Sequence, residues 1–182
     1  MKLILSVLSV LLAINNAVSQ TETNAGYTID ETTGLITYKE VVEEQGTKDD
    51  LYNRCSSWLP TFYANPVEAA KVRDQSTGLI KIQHQFRLSE TDKDGNIIEG
   101  NMIMYNARIE FKDGRYRYVI DNFVVKEASR VPLEKWLDKK APGYNPKWET
   151  GLGQVDAYIR NELIKSLKEK MKPPKEVKED IW

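Results

Sequence analysis

The stretch 101–126, NMIMYNARIEFKDGRYRYVIDNFVVK, decides the fold class. From Asn101 to Phe111 apolar side chains recur at every second position, so Ile103, Tyr105, Ala107, Ile109 and Phe111 share one face. That period belongs to a strand buried on one side only. Lys112-Asp113-Gly114 follows, and Asp-Gly readily takes the positive φ angles of a type I′ hairpin turn. Arg115 to Lys126 is therefore the return strand. Working upstream, Leu79 to Leu88 alternates in the same way. Ile80, Ile82, His84, Phe86 and Leu88 point to one side, and Lys81, Gln83, Gln85 and Arg87 to the other. The loop Asp92-Lys93-Asp94-Gly95-Asn96 joins these two runs. A weaker strand over Ala69–Asp74 ends at Ser76-Thr77-Gly78, and Leu35–Val42, rich in β-branched and aromatic residues, reads as a further strand.

Two segments follow the helical period instead. Thr47 is an N-cap and Asp50, three residues on, completes a capping box. Leu51, Cys55, Trp58, Leu59 and Phe62 then form one apolar stripe, with Pro60 kinking or ending the helix nearby. From Leu152 the stripe is Leu152, Val155, Ile159, Leu163 and Leu167, with lysines toward its C-terminal end and Pro173-Pro174 as a stop. Between the last strand and this helix lies a connector, 128–151, rich in proline and tryptophan, with a helical turn at Leu133–Asp138. Two one-sided helices and a run of antiparallel strands must bury their apolar sides together. The pattern predicts an α+β domain over 35–171: a single antiparallel sheet of about five strands with two helices packed on one face, in the order β-α-β-β-β-β-α. The other face of the sheet is left to solvent or a partner.

The ends of the chain read differently. Lys2, the apolar run Leu3–Ile14 and the small residues Ala17 and Ser19 form a secretory leader, with cleavage expected after Ser19. The run is too short for a membrane-spanning helix, which needs about 20 residues. The mature protein is thus expected in the periplasm or outside the cell, and not as an integral membrane protein. Residues 20–34 read as a flexible lead-in and 172–182 as a charged tail. A net charge of −1 argues against a dedicated nucleic-acid binder, and export argues against one further. A single cysteine, Cys55, excludes an internal disulfide, and a single histidine, His84, excludes a histidine-rich metal site. No cofactor is expected.

Leu35–Val42, Thr47-Lys48-Asp49-Asp50-Leu51-Tyr52, and Tyr116-Arg117-Tyr118 leading to Asp121-Asn122-Phe123 resemble an exported bacterial family, the domain of unknown function 4468 with a TBP-like fold. The resemblance covers roughly residues 35–125. It implies a curved antiparallel sheet carrying helices, with no activity and no functional residues attached.

Three constellations are candidates for function. Trp136, Tyr144 and Trp148 in the connector form an aromatic platform for a sugar ring or a protein partner, or else pack the loop onto the core. Tyr116, Arg117 and Tyr118, with their neighbours, carry side chains that stack on and pair with anionic or aromatic ligands, although strand alternation sets Arg117 opposite the two tyrosines. Asp92, Asp94 and Asn96 have the opening spacing of a calcium loop, yet Ile97 and Ile103 stand where an EF-hand needs Gly and Glu, so an ordinary turn is expected. Cys55 is expected as a buried apolar residue and His84 as a core histidine. The leading expectation is a non-catalytic binding or assembly module of the bacterial cell envelope, its partner an envelope protein, a glycan or a lipid. The alternatives are a small hydrolase using carboxylates or Cys55, and a carrier holding an apolar ligand between sheet and helices.

Overall fold

The computed structural model describes residues 28–174. The leader, the first part of the lead-in (20–27) and most of the tail (175–182) lie outside the described residues. Strand β1 (Tyr38–Glu43) is followed by helix α1 (Lys48–Phe62), a single helical turn α2 (Pro66–Ala69), and strands β2 (Ala70–Asp74), β3 (Leu79–Thr91), β4 (Ile97–Lys112), β5 (Arg115–Lys126) and β6 (Arg130–Pro132). A 3₁₀ turn, Leu133–Leu137, leads to α3 (Lys147–Ala157), a π-helical segment (Tyr158–Ile164) and α4 (Lys165–Met171). The last three run on without a break, since the junction residues keep right-handed helical angles.

All the pairings are antiparallel, in the order β1-β5-β4-β3-β2, with β6 also on β5. The fold is thus the expected α+β arrangement, one open sheet with its helices on one side. The inward residues of β3 and β4 are those that the alternation named, and β5 adds Ile120 to them. Ile80, Ile82, Ile103, Tyr105, Ile109 and Ile120 are all at most 2 % exposed. Against them α1 buries Leu51, Cys55, Trp58 and Leu59. At roughly 1.5–3 kcal/mol for each large apolar side chain, this burial is what holds α1 to the sheet. Its start is fixed by the expected capping box: Thr47 Oγ1 accepts from Asp50 N, and the Asp50 carboxylate accepts from Thr47 N at 3.0 Å. Trp58 Nε1 donates to Ser166 Oγ at 2.9 Å and joins α1 to α4.

Three details differ from the sequence reading. Residues 28–34 are not a loose lead-in. Ile29 bridges Ile36, Thr37 N donates to Thr28 O, and the Asp30 carboxylate gathers the amides of Thr32 and Thr33 together with Lys39. The polar composition that read as flexible is that of a turn built around one aspartate. The connector holds a short sixth strand, Val125 facing Val131. The final helix starts five residues early, at Lys147, so Trp148 sits in its first turn instead of a loop. Pro146 just before the helix breaks no hydrogen bond, because the first amides of a helix have no partner within it.

Candidate functional site

The connector aromatics come together at one end of the molecule. Trp136, held in the 3₁₀ turn, lies parallel to Trp148 of α3, with centroids 5.8 Å apart and planes 5° from coplanar. Tyr144 meets Trp148 edge-on at 5.6 Å, and its hydroxyl donates to Glu149 Oε1 at 2.7 Å. That bond pushes the Tyr144 phenol up, and Lys139, 2.6 Å from Glu149, holds the Glu149 carboxyl down. Trp136 is buried, whereas Trp148 and Tyr144 are partly exposed. Gly151, one helical turn after Trp148, makes this packing possible. A Cβ there would stand 2.6 Å from Trp136 Cζ3, well inside contact distance. The helix is fixed to the sheet beside it by Gln154, whose side chain accepts from Ser89 N and donates to Ser89 O, both at 2.8 Å.

Trp136, Trp148, Gly151 and Gln154 border a cleft of about 470 Å³ between the end of the sheet and α3, and Tyr144 stands behind Trp148 outside the lining of that cleft. Its apolar wall is Leu88, Trp136 and Trp148, and its polar rim includes Glu90, Asn101, Glu127, Asn145 and Lys147. An aromatic wall with a rim of donors and acceptors suits a small ligand with one apolar face and several hydroxyl or amide groups. Gly151 and Gln154 were missed from sequence. A glycine within a helix is a visible signal of close approach, but a glutamine that pairs with a strand backbone carries none.

The second group of candidates is split, as alternation requires. Tyr116 and Tyr118 are buried on the helix side. Tyr118 Oη donates to Glu40 Oε2 at 2.5 Å, and Lys168 closes on the same carboxylate at 2.6 Å. Tyr116 Oη is buried without a hydrogen-bond partner among the described residues. Arg117 lies on the open face and donates twice to Glu110 Oε2, at 2.6 and 3.0 Å. The three therefore make no common site, and this reading is corrected: the two tyrosines are core.

The remaining candidates also resolve. Asp92 Oδ1 accepts from Asp94 N and Asn96 N, and Oδ2 from Asn96 Nδ2, so the turn itself uses the carboxylate that would have opened a calcium loop. Among the described residues no cluster of three metal-ligating side chains occurs. Cys55 is fully buried on the core side of α1, and burial pushes its thiol up. His84 is half-buried, edge-on to Tyr63 at 4.8 Å, and desolvation pulls its pKa down. The space between sheet and helices, where a carrier would hold its ligand, is filled by Trp58, Tyr63, Tyr105 and Phe123. No helix among the described residues is long and apolar enough to cross a membrane.

An open antiparallel sheet with its helices packed on one side is the architecture of a TBP-like α+β domain. Residues 38–126 match the model of a family described as a domain of unknown function (DUF4468) with TBP-like fold, and the chain carries a domain of that family. Two solved structures are similar. A TBP-like protein from Parabacteroides distasonis ATCC 8503 is 16 % identical with a TM-score of 0.63, covering 76 % of this chain and 94 % of that one. A DUF4468 family protein from Bacteroides ovatus ATCC 8483 is 12 % identical with a TM-score of 0.60, covering 82 % and 93 %. At these identities the likeness is one of fold. No curated protein matches the chain.

Proposed function

We propose that the protein is an exported binding module of the bacterial cell envelope that takes a glycan in the cleft walled by Trp136 and Trp148. The observation that carries this reading is the partly exposed Trp148 ring, stacked on a buried tryptophan and bordered by Asn101, Asn145, Glu127 and Lys147. A pyranose ring has an apolar C–H face that fits such a wall, and its hydroxyls meet the rim. Trp136 and Gly151 fix the position of Trp148 before a ligand arrives, which limits the ordering cost of binding.

The test is a titration of envelope glycan fragments into the mature protein, followed at the tryptophan indole N–H signals by NMR. The expected result is a shift of the Trp148 indole, with at least tenfold weaker binding in Trp148→Ala. A panel of envelope glycans that moves no cleft resonance would sink the reading. Export is checked separately, by whether the protein is recovered in the periplasmic or culture fraction shortened at its N-terminus.

A further inference from the structure

We infer a second ligand site on the open face of the sheet, formed by Lys71, Lys81 and Arg108, that takes an acidic saccharide. Lys81 and Arg108 are direct cross-strand partners on β3 and β4. Like charges placed opposite one another destabilise a sheet, and an anion beside the pair relieves that cost. Arg108 reaches Glu110 at 3.3 Å. Lys81 and Lys71 have no ion-pair partner among the described residues.

The backbone is deformed on both sides of these cations. Lys71 is the extra residue of a bulge in β2, where the register slips between Ala70 and Val72. Asn122, beside Asp121 in β5, has a φ of 54°, the one positive φ outside glycine among the described residues, at a second register slip between Met104 and Asn106 of β4. Bulges re-aim side chains, and an L-residue in left-handed backbone persists where the surroundings impose it. Both bulges border one shallow cleft of about 330 Å³ that also holds Gln83, Asn106 and Asp121. Counting Glu110, which Arg108 already pairs, three cations stand against two carboxylates, and the excess positive charge lies with Lys71 and Lys81, which gives an anion site. Asp121 is partly buried, with its carboxyl pushed up by desolvation.

The rest of the lining decides the class of anion. Gln83 donates to Asn106 Oδ1 at 3.4 Å, a long bond that leaves the free amide donors and acceptors of the pair available to hydroxyls, and Asp121 is a further acceptor. A bare anion has no use for them, and a lipid surface would want apolar contacts. Of the large apolar residues that stand exposed, Leu35, Val41, Val67, Ile97 and Ile98, none lines this cleft. A sugar bearing carboxylate or sulfate satisfies both the cations and the amides. The site is separate from the Trp148 cleft and does not rest on it.

The experiment uses the mature full chain, with trigalacturonate and a chondroitin sulfate tetrasaccharide as probes and maltotriose, inorganic phosphate and phosphatidylglycerol vesicles as comparisons. The expected result is that an acidic saccharide binds, shifts the Lys81, Asn106 and Arg108 amides, and binds at least tenfold more weakly to Lys71→Gln/Lys81→Gln. A Lys112→Gln/Arg115→Gln variant, neutralised elsewhere on the sheet, keeps its affinity. The inference is overturned if neither saccharide binds, if both double variants weaken binding equally, if phosphate alone binds as tightly, or if only the vesicles bind. Cleft resonances at Trp148 report on the other site, so the two readings fail independently.

Discussion

At the scale of single residues, a buried phenol and a half-buried imidazole each make a prediction. Tyr116 Oη is desolvated without a hydrogen bond among the described residues, a state that costs about 1–3 kcal/mol. Tyr116→Phe removes the hydroxyl and leaves the ring, so it should stabilise the protein by about 1 kcal/mol, read as a higher urea midpoint at unchanged slope. A destabilised variant would mean that the hydroxyl has a partner. His84 is the only histidine in the chain, so it can be followed alone. Desolvation sets its folded pKa below the unfolded value near 6.5. The unfolded chain therefore binds the proton first, and the stabilisation from neutral His84 is whole above pH 6.5 and is lost as pH falls through the folded pKa. Stability should begin to decline as pH falls below about 6.5, before ordinary carboxylates titrate. In His84→Gln the decline over this window should disappear; if it persists, another group causes it.

At the scale of elements, the final helix is where the sequence held more than its stripe first shows. Val155, Ile159, Leu163, Leu167 and Met171 are all buried, each four residues after the last. In an α-helix a four-residue step drifts by about 40°, so four steps would carry Met171 round to solvent. The π-helical segment Tyr158–Ile164 underwinds the helix and keeps the stripe on the core. It also lays Tyr158 flat on Phe86, with centroids 3.9 Å apart. Deleting Asn161, an exposed residue of this segment, should let six α-helical residues span the turn of the seven underwound ones, so Leu163, Leu167 and Met171 stay on the core and denaturant unfolding loses no more than about 1 kcal/mol. A loss of roughly 3 kcal/mol or more would show that the underwinding does not set the stripe in this way. Gly151 acts between elements. Its Ala variant must displace Trp136, a clash with a rigid ring and not with the far end of a flexible chain. About 1–3 kcal/mol of lost stability is expected, together with loss of the Trp148 indole response to glycan. The alternation of β3 to β5 and the Thr47 capping box were legible because each is a local rule. The Gln154 clamp on Ser89 was not, because its partner lies 65 residues away, and neither were strand β6, whose three residues are too few to show an alternation, nor the early start of α3, whose first turn is mostly polar. The aromatic cluster lay between these cases: its members were visible as types, and their convergence was set by Gly151.

At the scale of the whole molecule, the core is unusually phenolic, and this sets how it should fail. Tyr63 and Tyr105 share a hydrogen bond at 3.2 Å inside the core, and Tyr38 and Tyr118 donate to Asp156 and Glu40 where the helices meet β1 and β5. Burial, the leading cause for each of these and for Tyr116 and Tyr158, pushes their phenols above the ordinary value near 10. These tyrosines lie on β1, just past the end of α1, on β4, β5 and the π-helical segment, so no single element can release them alone. Their folded pKa values are raised, so their contribution to stability is intact below pH 10 and is lost as pH climbs toward those values. Above pH 10 the unfolded chain ionises its tyrosines while the folded one holds its buried phenols neutral, and the balance shifts toward unfolding. The phenolate absorbance near 295 nm should therefore rise in a steep step that coincides with loss of the far-ultraviolet circular dichroism. A gradual titration centred near pH 10 with the dichroism intact would contradict this. It would mean that the interlayer core admits hydroxide without unfolding, and the separation of a sealed helix side from an accessible open face would fail with it.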